Sequence, residues 1–360
     1  MHIYKEGGLS GLKIAITTVQ MPFINGGAEF LAQNLKTELI RCGHEAEIVA
    51  IPFIDNPLQK VEDHIIAARL FDIEYSWAGK IDLCIGLKFP AYFIPHPNKV
   101  IWMLHQHRGA YDLYNTEFTN IKTDDFSLHT RKIIHDADSR FLKEAKKIYT
   151  ISENVSERLQ HYNHIPSTPL YHPCPDMDSF YCGGYEDYIL MPSRISQTKR
   201  QLLALEAMCL TKTDIKLYIV GRADNDQEKQ RLLTFISEHN LQDRLRYFDY
   251  VTQEEKFRLY ANAKAVLFIP KDEDYGYITL EAMAASKAVI TAMDSGGPLA
   301  FIQDEQTGEV VEPTPEEIAR AMDYLALSKY AAISMGQNAK RHLDEMEITW
   351  DKVIKELTSI

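Results

Sequence analysis

The chain has no Cys-x-x-Cys pair, no His-x-x-x-His, no Gly-x-Gly-x-x-Gly and no surplus of positive charge. Each absence removes a class of function. Its five cysteines, Cys42, Cys84, Cys174, Cys182 and Cys209, are an odd number without zinc or redox spacing. They predict buried thiols in a reducing compartment. Thirteen histidines offer no matched Cys/His spacing, so no metal site is expected. A net charge of −12 and no recognisable motif argue against a nucleic-acid surface. Without the glycine fingerprint, a nicotinamide dehydrogenase loses its main support. No charged segment followed by an apolar one opens the chain, and no apolar run reaches the ~20 residues of a spanning helix. The expected location is cytoplasmic. Peripheral contact at the inner face of the plasma membrane stays open, because "RKIIHDADSRFLKEAKK" sets six Lys/Arg against three acids, although a solvated helix face explains it equally well.

What is present is an alternation. At 360 residues the chain is long for one core and fits two domains. Strand-like runs "KIAITTV", "EAEIVAI", "IDLCIGL", "KVIWMLH", "KIYTIS" and "TPLYHP" are interleaved with helical stretches, notably 28–41 and 126–147. A turn-rich segment, "HPCPDMDSFYCGGYED", interrupts them. Alternation resumes with "YILMPS", "KLYIVG", "RYFDYV", "KAVLFIP", "AVITAM" and "GEVVEP", with helices expected at 200–210, 226–238, 253–263, 279–286 and 314–325. Parallel α/β layers follow. The pattern predicts Rossmann-like domains at 1–182 and 183–342, and a C-terminal helical segment at 343–360.

Polar and glycine-bearing residues gather where strands run into helices, the edge at which open α/β sheets bind ligands. In "EDYGYITLEAM" Glu273 falls in a loop and Glu281 in the first turn of the next helix. Taken singly, each is an ordinary solvated or dipole-favoured glutamate. "INGGAEF" puts Gly26 and Gly27 before a helix N-terminus, which suits close approach of an anion and equally suits a plain tight turn. "PSRISQTKR" carries Arg194 and Lys199 into a helix, two cations that fit a diphosphate. "IVGR" ends a strand at Gly221 and Arg222, and "SGGP" at 295–298 repeats that ending. His105 closes "KVIWMLHQH", where an imidazole can donate to a sugar hydroxyl or a developing charge, although a lone histidine is more often structural.

Together these stretches resemble glycosyltransferase family 4, retaining enzymes of the GT-B fold. The likeness is strongest from "PSRISQTK" through "IVGR" and "YFDYVTQEEKFRLYANAKAVLFIPKDEDYGYITLEAMAASKAVITAMDSGGPLAFIQDEQTGEVVEP", and "GGAE", "HQHRGAYDL" and "IYTISENVSERL" extend it to nearly the whole chain. The resemblance implies two facing Rossmann-like domains, an N-terminal acceptor domain and a C-terminal donor domain, with the last helix crossing back. It implies that Glu273 meets the donor sugar, Glu281 the ribose hydroxyls, and the amides of Gly276, Tyr277, Ile278 and Thr279 the diphosphate and sugar. Arg194 and Lys199 would neutralise the diphosphate, Gly26 and Gly27 would lie near donor phosphates and acceptor, and His105 would lie beside the transferred sugar. Gly221 and Arg222 would belong to the donor site, and Tyr250 and Val251 would hold the base. Ala285-Ser286-Lys287 departs from the family's usual small alanine-glycine step, and Leu299-Ala300 from a frequent acid.

The expected reaction moves a hexose from a nucleotide sugar to a glycan or lipid-linked glycan, with UDP-glucose the leading donor ahead of UDP-N-acetylglucosamine and GDP-mannose. No cofactor or metal is expected, because Arg194, Lys199 and helix N-termini supply the electrostatic stabilisation. A catalytically silent sugar-nucleotide-binding protein and a GT-B epimerase remain open alternatives.

Overall fold

The computed structural model describes residues 11–21 and 26–360. The chain divides into two compact units, one running to His172 and taking back Thr349–Ile360, the other being Pro173–Ile348.

In the first unit, β1 (Lys13–Gln20), α1 (Gly27–Arg41), β2 (Glu45–Pro52) and α2 (Lys60–Leu70) lead to a hairpin of β3 (Tyr75–Ser76) and β4 (Gly79–Lys80). Then come β5 (Leu83–Gly86), β6 (Lys99–Met103), α3 (Asp125–Phe141), β7 (Lys147–Thr150), α4 (Glu153–Asn163) and β8 (Thr168–Pro169). Six of these strands form a parallel sheet in the order β2-β1-β5-β6-β7-β8. Helices cover both faces of such a sheet, so its inner strands read as unbroken apolar runs. β6, "KVIWM", is buried at every position, while the edge strand β2 includes exposed residues.

The second unit repeats the plan. β9 (Tyr188–Met191), α5 (Gln201–Leu210), β10 (Lys216–Val220), α6 (Asp226–Glu238), β11 (Leu245–Phe248) and α7 (Gln253–Asn262) are followed by β12 (Ala265–Leu267), α8 (Tyr277–Ala284), β13 (Val289–Ala292) and β14 (Gly308–Val311). Helices α9 (Pro315–Leu327) and α10 (Lys329–Glu345) close it. The parallel order is β11-β10-β9-β12-β13-β14. Chain progress reverses beside β9: the first crossovers move to β10 and β11, and the later ones return to its other side. Loops after β9 and β12 therefore diverge, and the gap between them is the switch point where open α/β sheets place ligands. Asn225, Thr252 and Thr314 cap the helices that follow, each side chain accepting from a backbone N–H three residues on.

Two boundaries differ from those read in the sequence. The turn-rich segment, assigned to residues 1–182, leaves the first unit at 172, because Phe180 packs edge-on against Phe257 (4.9 Å) and Tyr260 (5.2 Å) of α7. The returning segment begins at Thr349 instead of 343, since α10 stays with the second unit. The final helix, α11 (Trp350–Thr358), lies in the first unit. It buries Val353, Ile354 and Leu357, sets Trp350 edge-on to Trp102 at 6.2 Å, and receives the Tyr149 hydroxyl on Glu356 at 2.9 Å. The thiols also differ from expectation. Cys84 and Cys174 are buried, but Cys42, Cys182 and Cys209 are exposed, because the two latter ends of α1 and α5 and the inter-sheet turn lie at the surface. No described helix is long and apolar enough to cross a membrane.

Candidate active site

The second unit gathers most of the predicted residues at the carboxyl edge of its sheet. Four loops, after β9, β10, β12 and β13, are knitted by backbone hydrogen bonds. Lys271 N–H donates to the Thr198 carbonyl (2.8 Å), Asp272 N–H to Asp294 (2.8 Å), and Glu273 N–H to Ser295 (2.9 Å), while Gly297 N–H returns to Glu273 (2.7 Å). The loop after β10 joins through Ile195 N–H to the Arg222 carbonyl, 2.9 Å, and Asp224 N–H to Ile195, 3.0 Å. Gly221 has φ +148°, and a Cβ there would lie 2.3 Å from the Ser193 carbonyl oxygen, so only glycine fits between these two loops.

On this frame the side chains pair. Lys199 Nζ is ion-paired with Glu273, both largely withdrawn from solvent, and lies 5.5 Å from the Phe268 ring centroid. Arg194 is exposed and reaches Asp224 through Nε at 2.9 Å. Two partners were not foreseen. Arg200, in the left-handed region at the head of α5, grips Asp294 with both terminal nitrogens (2.6 and 2.5 Å). These pairs fix cations and anions at one edge, which a polar, charge-developing reaction requires.

Gly276 is the residue before α8, at φ +96°, with Pro298 2.9 Å from where a Cβ would stand. The turn that follows carries the amides of Tyr277, Ile278 and Thr279, and the last of these already donates to the Gly276 carbonyl at 3.0 Å. The Thr279 side chain is buried, and its hydroxyl has no hydrogen-bond partner among the described residues.

Glu281 corrects the sequence reading. It lies in the second turn of α8, because the helix begins at Tyr277. Its side chain is buried, only 7% exposed, and each carboxylate oxygen has a partner: Lys256 Nζ at 2.6 Å and the Tyr260 hydroxyl at 2.5 Å. Lys256 and Tyr260 stand one turn apart on α7 and so present one face to Glu281. That i, i+4 spacing was visible in "EKFRLY", but nothing in the sequence tied it to a glutamate 21 residues on. Burial raises the Tyr260 hydroxyl's pKa well above normal, with the Glu281 charge adding to it. Beyond β11, Tyr250 is exposed and lies under the Arg222 guanidinium, 5.6 Å from ring centroid, with Val251 beside it half-buried.

The first unit holds the remaining candidates on its own carboxyl edge. Gly26 precedes α1 and its N–H donates to Glu29 at 2.8 Å; Gly27 opens the helix, and residues 22–25 before them lie outside the described ones. An open groove of about 370 Å³ runs beside this turn, lined in part by Thr18, Gln20, Glu29 and the exposed Phe30. His105 follows β6, and its Nδ1 donates to the Gln106 carbonyl at 2.6 Å. Behind it lies a buried network that sequence reasoning missed. The Asp138 carboxylate accepts from Tyr92 (2.9 Å), Tyr111 (2.6 Å) and Gln106 (3.3 Å), and burial pushes its pKa up to about 6. His107 is buried against Phe89 (5.2 Å) and 3.8 Å from Asp55, and burial lowers its pKa.

Among the described residues no group of three His, Cys, Asp or Glu could hold a metal ion. Residues 184–342 match the family model described as glycosyl transferases group 1. The alpha-1,3/1,6-mannosyltransferase ALG2 of Dictyostelium discoideum is 30% identical over 128 residues, 36% of this chain and 30% of that enzyme. The chain therefore spans well under half the length of that relative. An uncharacterized glycosyltransferase of Methanocaldococcus jannaschii is 23% identical over 97% of each chain. Among solved structures, sucrose-phosphate synthase from Thermosynechococcus elongatus superposes with a TM-score of 0.77 at 16% identity, covering 96% of this chain and 97% of that one.

Proposed function

On the premise that this GT-B chain carries a glycosyl transferases group 1 module at residues 184–342, we propose that it transfers a hexose from a nucleotide sugar to a glycan or lipid-linked glycan, with retention and without metal. The observation that carries this reading is the Lys199–Glu273 pair, held at the switch-point edge of the donor unit beside the N-terminus of α8. Breaking the bond between the anomeric carbon and phosphate puts positive charge on the sugar and negative charge on the leaving diphosphate. Lys199 and Arg194 stabilise the leaving charge, and the α8 amides add fixed partial charge. Glu273, already oriented by Lys199, receives a donor-sugar hydroxyl. The sequence offers no evident carboxylate nucleophile on the opposite face, so attack on the same face, with the donor phosphate taking the acceptor's proton, fits best.

Several relatives that match part of this chain are named as alpha-1,3/1,6-mannosyltransferases, which moves GDP-mannose level with UDP-glucose as the donor to test first. Calorimetry with UDP and GDP in EDTA, followed by transfer assays with both sugar nucleotides, tests the reading. One diphosphate should bind undiminished in chelator, and its sugar nucleotide should be consumed. Loss of binding or turnover on adding EDTA would overturn the metal-free account, and binding without any turnover would leave a silent binder.

A further inference from the structure

We propose that Lys256 is a positioning residue: it holds Glu281 as an acceptor for two adjacent hydroxyls, so preference for a ribonucleotide over its 2′-deoxy form depends on this lysine. The inference rests on the donor-site reading above and deepens it.

Glu281 is the single charged residue of α8, "YITLEAMA", whose other side chains are mostly buried. A buried carboxylate is costly unless charge and hydrogen bonds compensate it. Compensation comes entirely from α7. Lys256 donates to Oε1 at 2.6 Å and Tyr260 to Oε2 at 2.5 Å. Neither donor is loosely placed. The start of α7 is pinned by Thr252 and Glu255, each bonding the other's backbone N–H. The Lys256 ammonium lies 5.3 Å from the Phe180 ring centroid, and Phe180 is itself wedged on Phe257 and Tyr260.

An ionised carboxylate has about four acceptor directions, two per oxygen. One is taken on each oxygen, and no other described residue bonds this carboxylate. Each oxygen therefore keeps capacity for one more donor, which the two hydroxyls of a vicinal diol can fill. Lysine can only donate, so it cannot compete as an acceptor for the diol's protons. Removing Lys256 would leave a buried carboxylate with one neutral partner and no cation to fix its orientation, so it stops presenting both oxygens to the two hydroxyls. A 2′-deoxynucleotide uses only one of them and should notice the loss less.

The test is calorimetry on the full chain with UDP, GDP and their 2′-deoxy counterparts, with thermal unfolding measured alongside. For whichever base binds, Lys256→Met should weaken the ribonucleotide about tenfold and the 2′-deoxynucleotide less than about threefold, because the two changes remove one shared interaction. Lys256→Arg should restore most of the preference. Tyr260→Phe, which deletes one oxygen from a buried site, repeats the measurement in a second background should Lys256→Met fail to fold. Equal losses for both nucleotides would reduce Lys256 to a packing role and overturn the proposal while the donor-site reading stands. Tighter ribonucleotide binding by Lys256→Met would also overturn it, making the lysine a competitor for Glu281. If neither ribonucleotide binds the unaltered chain, the donor-site reading itself falls, and this proposal with it.

Discussion

Asp138 in the first unit and Glu281 in the second are both buried acids on helices that flank a parallel sheet, yet their partners differ in kind. Glu281 faces a lysine and a tyrosine. Asp138 is surrounded by two tyrosines and a glutamine, all neutral, and burial raises its pKa to about 6. The contrast extends outward. Around Glu281 the loops carry Lys199 with Glu273, Arg194 with Asp224 and Arg200 with Asp294. Behind His105 the acid's partners are neutral, and burial lowers the pKa of the nearby His107.

The sharpest way to break this comparison is to remove Lys199, the cation that we propose faces the leaving group. Lys199→Met should lower kcat/KM by about 100- to 1,000-fold, the usual cost of losing one preorganised electrostatic partner, with the fold intact by circular dichroism. A loss below about fivefold would move the charge centre elsewhere.

Asp138 offers the next largest effect, and its sign is fixed by linkage. Its folded pKa of about 6 lies above the unfolded value of 3.8, so the folded state binds the extra proton between those limits. This group's contribution therefore falls as pH rises from about 4 to 6 and is flat beyond, by about 3 kcal/mol in all. Denaturant titrations of the native chain and Asp138→Asn should diverge across that window, the variant lacking this decline. Parallel curves would show that the carboxyl is ionised throughout.

A third measurement separates the two donor-site glutamates. Glu273→Gln should lower kcat by about 30- to 150-fold, because the sugar gains charge as its bond breaks, with nucleotide affinity nearly unchanged. Glu281→Gln should instead raise KM, since ribose contacts persist from ground state to transition state. Initial rates and calorimetry on both variants check this, and the reverse pattern would exchange their roles.

The smallest expected change is a control that touches neither carboxylate. Ser286 follows α8 at φ +56°, a conformation that favours glycine, and it sits where the sequence departs from the usual alanine-glycine step. Ser286→Gly should raise stability by about 0.5–1 kcal/mol, the relief of a left-handed serine less the entropy glycine adds to the unfolded chain. Thermal unfolding measures it, and activity should not move.

Much of this architecture was legible early. Buried parallel strands announce themselves as short apolar runs, and "KVIWM", "YILM" and "VITA" are strands where they were expected. Loop motifs such as "PSRISQTKR" and "EDYGYITLEAM" were legible because glycine and charge at strand ends stand out against those runs. The position of Glu281 within its helix was missed by one turn, since Gly276 starts α8 without any capping side chain to signal it. The Asp138 network was hidden because its members, Tyr92, Gln106, Tyr111 and Asp138, are scattered over three segments and ordinary in each.

By itself the sequence determined which residues are strand, helix and loop, and which loops carry charge, because period, propensity and turn chemistry are local properties. Which charges are partnered was decided only by tertiary structure. Lys199 meets Glu273 across 74 positions, and Lys256 meets Glu281 across 25. Such pairs form where crossover connections of a parallel sheet bring distant loops and helices together, and burial then makes each partner obligatory.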